Sequence, residues 1–284
     1  MTNESETSKG SSDATTRRTS GRERTERFSP TGPVRATIAT KSGDVDVRTV
    51  DGNELEVTLR ASSSKYEHLL ELATVHFDAT NNVLEIESLP GVFSGSFRGV
   101  RDAAKSWFDF GGSDLDVVVV LPHDSSLDVK TMSGDASLHG ELNDVDVASA
   151  SGDVSALDSC RTLQVKTASG DVVTGQVLDV LKCHSASGDV RCRGAATKTD
   201  IASASGDVTL TGERPGSVVV KVVSGDVHIS VARGLAVDVN GNTVSGDLGS
   251  NIDLGASGGD VSDDDVLFIK VNTVSGDIRV DKAA

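Results

Sequence analysis

The tripeptide Ser-Gly-Asp occurs nine times in this 284-residue chain, starting at Ser42, Ser133, Ser151, Ser169, Ser187, Ser205, Ser224, Ser245 and Ser275. From Ser133 onward, four successive spacings are 18 residues, and the next three are 19, 21 and 30. A fixed turn signal at a fixed period defines a repeat array. Each copy is one structural unit that cannot bury its apolar face alone and must stack on its neighbours.

The same register aligns apolar columns. The residue after each Asp is Ala136, Val154, Val172, Val190, Val208, Val227, Leu248 or Ile278. Counting each coil from its Ser, position 6 reads Leu138, Ala156, Thr174, Cys192, Leu210. Position 10 reads Leu142, Cys160, Leu178, Ala196, and position 15 reads Val147, Val165, Cys183, Ile201. Apolar positions alternate within each coil, which is the signature of strands with one buried face. The expected fold is all-β: a single-stranded, right-handed parallel β-solenoid with 18-residue coils. Each strand then lies about 4.8 Å from its own copy, and seven coils make a rod of roughly 30–35 Å. Gly supplies positive φ, while Ser and Asp side chains bond nearby backbone to close the turn. Solenoid ends expose strand edges that can associate, and residues 28–60 and 275–284 read as the terminal coils.

Other segments depart from the period. Residues 1–27 are Ser/Thr-rich with mixed charge and read as a disordered tail without the apolar stretch of a signal peptide. Residues 28–90 form an N-terminal β segment that starts the solenoid, with strands expected over Val34–Thr40, Val45–Val50, Leu55–Leu59, Ala73–Phe77 and Val83–Ile86. Residues 91–113 hold Phe93, Phe97, Trp107, Phe108 and Phe110, five of the nine aromatics. This stretch reads as a cap for the solenoid, as an amphipathic helix contacting partner or membrane, or as an insertion. Residues 114–284 carry the regular repeats, with a loop at Asp263-Asp264-Asp265. Aromatics make up only 3% of the chain against 29 glycines, which suits a core of many thin aliphatic layers.

The recurrent Thr/Ser-Ala-Ser-Gly-Asp-Val, at Thr167–Val172, Ser185–Val190 and Ser203–Val208, resembles a bacterial β-strand-repeat family labelled "putative adhesin". The resemblance spans residues 28–284 and implies a β-solenoid with no catalytic residues to carry over. It also implies two settings known for the family: cell-envelope stress with binding of cationic antimicrobial peptides, and plain cytosolic proteins.

The remaining residues offer little conventional chemistry. Three cysteines do not make a disulfide framework; Cys160, Cys183 and Cys192 fall in apolar columns, aimed at different layers, and read as small buried hydrophobes. His139, His184 and His228 are scattered without a recurring carboxylate or Ser partner, and His184 sits in an outward column beside Lys166. Asp135, Asp153, Asp171, Asp189 and Asp207 should stack along one edge. Neighbouring carboxylates 4.8 Å apart repel by about 0.9 kcal/mol in water and about 3–4 kcal/mol at an effective dielectric of 20, so something must offset them. Turn capping is the first reading and calcium the weaker one, since calcium wants six to eight oxygens.

These features point to a non-catalytic, cytoplasmic interaction or scaffold protein that needs no cofactor. Its net charge of −16 suits a basic protein or peptide partner and repels nucleic acid. One alternative is an envelope-stress protein binding cationic peptides, with Phe93, Phe97, Trp107, Phe108 and Phe110 in peripheral membrane contact; another is a carbohydrate-active β-helix enzyme.

Overall fold

The structure is a computed structural model that describes residues 16–88, 115–251 and 266–283. It is an all-β chain in which one long, open sheet system winds around a continuous aliphatic core. Each repeat contributes a leading strand that runs into a Ser-Gly-Asp turn and a trailing strand that leaves it. Glu141–Ser151, for example, leads into the turn from which Val154–Ser169 departs.

Successive copies pair in parallel and in register. Ala136 lies beside Val154, Val154 beside Val172, Val172 beside Val190, and Val190 beside Val208. On the leading side Val147, Val165, Cys183 and Ile201 form another unbroken column. These side chains are buried, as alternation requires. Column 10 is different. A bulge makes Cys160 pair with Val177 rather than Leu178, so Val177 is buried and Leu178 is 38% exposed. The slip is local, since Thr162 pairs with Val180 and the original register resumes, and no composition signal marked it.

Stacking order departs from chain order at both ends. The coil of Arg35–Ser42 and Val45–Val50 packs against Ser125–Ser133 and Ala136–His139, across a gap in sequence of more than 80 residues. At the other end, Val266–Ser275 and Ile278–Lys282 slot between the Gly216–Val231 coil and the Ala236–Ser250 coil. Among the described residues the outermost coil at this end is therefore Ala236–Ser250, not residues 275–284. The 30-residue spacing before Ser275 gives the chain enough length to leave the end and return inside it.

The first end is closed by antiparallel strands. Thr16–Ser20 pairs with Glu23–Phe28, which pairs with Leu55–Ala61, which pairs with Leu115–Pro122. Residues 16–27 are thus not a disordered tail; Arg24, Glu26 and Phe28 are buried in this cap. The expected strands of the 28–90 segment appear as Arg35–Ser42, Val45–Val50, Leu55–Ala61, Thr74–Asp78 and Val83–Glu87. Phe28 and Phe77 stack at 5.2 Å between centroids. Arg24 donates to Glu26 and to the carbonyls of Leu70 and Ala73, which tethers the short helix Leu69–Leu72. The segment 91–113 and the loop at 263–265 lie outside the described residues.

Candidate functional site

The turns build the most regular chemical feature of the molecule. Asp153 Oδ1 accepts from the Asp171 amide at 2.8 Å, and Asp171 Oδ1 accepts from the Asp189 amide at 2.9 Å. The same bond joins Asp44 to Asp135, Asp135 to Asp153, Asp189 to Asp207, Asp207 to Asp226, Asp226 to Asp277 and Asp277 to Asp247. Asp116, outside any repeat, starts the series by accepting from the Asp44 amide. The aspartates weighed as calcium ligands each spend one oxygen on the next coil's backbone. A charged acceptor on a backbone N–H is among the stronger hydrogen bonds and offsets repulsion along the column. Among the described residues no cluster of three metal-ligating side chains exists.

Backbone bonds complete each junction in the opposite direction: the Gly152 amide donates to Ser169 O and the Val154 amide to Asp171 O. Glycine is required for two reasons. Gly170 has φ +130°, and a Cβ there would lie 2.2 Å from the carbonyl oxygen of Gly152. In several of the turns the side chain that closes the turn from inside is not the Ser of the tripeptide but the residue two positions before it, while the equivalent hydroxyls of Thr131, Ser149 and Thr273 find no hydrogen-bond partner among the described residues. Thr167 Oγ1 donates to Ser169 O, Ser185 Oγ to Ser187 O and Ser203 Oγ to Ser205 O.

Between this buried hydroxyl and the turn, the small outward residue opens a lane. Ala150, Ala168, Ala186 and Ala204 floor a shallow groove of about 1100 Å³, with Met132 at one end and Val223 and Val274 at the other. Lys130, Lys166, His184 and Lys221 line it on the side away from the turn. His184 does stand beside Lys166. The face next to the turn is therefore split: an acidic ridge on the edge, an apolar lane, then a basic row. The repeat pattern contained the lane, because the Ala of Ala-Ser-Gly-Asp recurs in the sequence, but only register shows that these residues share a face.

The other candidates have structural settings. Cys160, Cys183 and Cys192 are free and buried. Burial pushes the Cys160 and Cys192 thiols up to about 11, and Cys183 is raised by burial with the neighbouring Cys192 adding to it. Thiols held protonated are poor nucleophiles and poor metal ligands. His139 Nδ1 is 3.8 Å from Asp158, and His228 Nε2 is 3.2 Å from Ser230 Oγ. The structure also joins residues the sequence kept apart. His123 Nδ1 is 2.7 Å from Thr49 Oγ1, and His123 Nε2 is 3.5 Å from Asp51. A Thr-His-Asp alignment invites comparison with a hydrolase triad. Here Thr49 Oγ1 also accepts from the Glu141 amide at 2.9 Å and packs against Gly140, so it locks a turn. Phe93, Phe97, Trp107, Phe108 and Phe110 lie outside the described residues.

A chain of stacked parallel strands joined by a ladder of capped turns defines a β-strand repeat protein. The chain belongs to the Toastrack DUF4097 family, whose pattern matches residues 37–281. It is similar in fold to a "putative adhesin" from Bacteroides fragilis NCTC 9343, at 14% identity and a TM-score of 0.53, covering 92% of this chain and 98% of that one. A "putative adhesin" from Parabacteroides distasonis ATCC 8503 aligns at 14% identity and a TM-score of 0.42 over 93% and 98% of the two chains. A protein from the same species described as a putative lipid binding protein aligns at 10% identity and a TM-score of 0.40 over 93% and 98%. No curated protein matches the chain by sequence. Among the described residues no helix is long and apolar enough to cross a membrane.

Proposed function

We propose that the chain is a non-catalytic, adhesin-like interaction or scaffold protein. It is built on one right-handed parallel β-solenoid and binds a basic, extended partner along its turn edge. One observation carries this reading. The ten aspartates from Asp116 to Asp247 form a single ridge in which each of the first nine commits only Oδ1 to the ladder. Apart from Asp171 and Asp189, which share Arg191, the ladder carboxylates of the repeat turns make no ion pair among the described residues. Regularly spaced negative charge attracts an extended cation better than a compact one, because several contacts form at once. The row of Lys130, Lys166 and Lys221 repels the same partner and confines it to the turn side of the alanine lane. Three free thiols fit a reducing, cytoplasmic location.

Calorimetric titration with a short oligolysine tests the reading. Binding should weaken steeply between low and moderate salt. Replacing Asp153 and Asp207 by Asn keeps an oxygen for the amide and removes the charge, so affinity should fall while the protein stays folded with only a small drop in melting temperature. Binding that ignores both salt and these substitutions would sink the proposal. Release from membranes only by detergent would favour the envelope alternative, and turnover of a polysaccharide would favour the enzyme.

A further inference from the structure

The two ends of the stack are finished differently. At the first end the core is covered: Phe28, Leu69, Leu70 and Phe77 are buried, and the outermost strands carry Arg17, Arg18 and Asp78. Charges on an edge strand are a standard defence against pairing with another chain. At the other end the last coil, Ala236–Ser245 with Leu248–Ser250, pairs only on its inner side among the described residues. Leu248 occupies the column in which Val227 and Ile278 are each 1% exposed, yet Leu248 is 57% exposed. Val237 and Val239, buried columns elsewhere, are only partly covered here. Val244 is 82% exposed and continues the lane of Val223 and Val274. Among the described residues nothing covers this end layer of the core.

The charge of this strand is as telling as its apolarity. In a chain of net charge −16, residues 236–245 contain one charged side chain, Asp238, and neither Lys nor Pro to block the edge. Antiparallel self-pairing about a two-fold axis anywhere near Asn240–Asn242 keeps the two copies of Asp238 apart. A two-fold contact uses the same surface on both partners, and with the opposite end closed it cannot propagate.

We propose that the Ala236–Ser250 coil is a homodimerisation surface. A second copy pairs its own Ala236–Ser245 strand antiparallel to this one and covers Val244 and Leu248, giving a closed dimer joined open end to open end. Sedimentation of the full chain over a range of micromolar concentrations should show a monomer–dimer equilibrium with nothing larger. Val244→Lys with Leu248→Lys should weaken association by about tenfold or more, while Thr19→Lys at the closed end leaves it unchanged. Asn242→Cys should yield a disulfide-linked dimer on mild oxidation, the native cysteines being buried. A monomer at every concentration overturns the proposal. So does a monomer whose 236–245 amides resist hydrogen exchange, since residues of the same chain would then cover the edge. Open-ended oligomers, or dimers lost on Thr19→Lys, overturn it equally.

Discussion

The cap and the repeats bury their apolar residues by different means. In the cap, few residues do much each: the Phe28–Phe77 pair, and Arg24 holding Glu26 and two helix carbonyls in a buried cluster. Its strands are antiparallel and belong to no period. In the repeats no buried side chain among the described residues is aromatic. Stability comes from repetition of Val, Leu, Ile and Ala columns and of an identical turn junction. Damage should therefore stay specific to the altered contact in the cap, whereas in the repeats it should act on the neighbouring coil as well.

The largest effect should come from Gly170→Val. It meets both an adverse φ and the Gly152 carbonyl at 2.2 Å, so we expect a loss above about 4 kcal/mol or failure to fold, read from the thermal melt. An unchanged melting temperature would mean the turn stack is wrong. Next is Arg24→Met, which leaves the buried Glu26 with only the longer 3.7 Å contact to Arg17 and should cost somewhat less than the roughly 3–5 kcal/mol of a fully orphaned buried charge. Arg24→Met with Glu26→Leu should recover most of that; if it does not, the cap relies on the carbonyl contacts rather than the pair. Asp153→Ala removes one ladder acceptor and should cost about 1.5–3 kcal/mol in chemical denaturation, with Asp153→Asn costing less. Equal losses for Ala and Asn would show that charge, not the amide bond, matters.

The smallest effect concerns the thiols. Their native proton affinity is raised, from 9.0 to about 11 for Cys160 and Cys192. The native state holds the proton, so this contribution is complete below about pH 9 and is lost as pH rises toward 11. At pH 8 a thiol reagent should label all three cysteines in denaturant and none quickly in the native protein; rapid native labelling would place a thiol at the surface.

Legibility followed the same division. The strand columns at positions 4, 6 and 15 were readable because a period supplies many copies of one constraint, and Ser-Gly-Asp named its own turn. Column 10 was misread because a bulge changes register without changing composition. The closing hydroxyls of Thr167, Ser185 and Ser203 were visible as a recurring letter but not as donors, since the inward face of that position depends on pairing. In the cap, residues 23–27 looked like tail because Glu-Arg-Thr-Glu-Arg is almost entirely charged. Only the neighbouring strand and helix make Arg24 and Glu26 a buried pair.

By itself, the sequence determined that the chain is a repeat, where each turn falls and, at the regular columns, which side chains face inward. Those properties follow from local backbone preference and period-two alternation, and both are written in consecutive residues. Tertiary structure alone decided the order of the coils. Nothing local distinguishes Ile278 beside Val227 from Leu248 beside Val227, since equivalent turns offer equivalent hydrogen bonds. The choice rests on which coil is left with its core open, and it puts Ile278 inside and Leu248 at the exposed end.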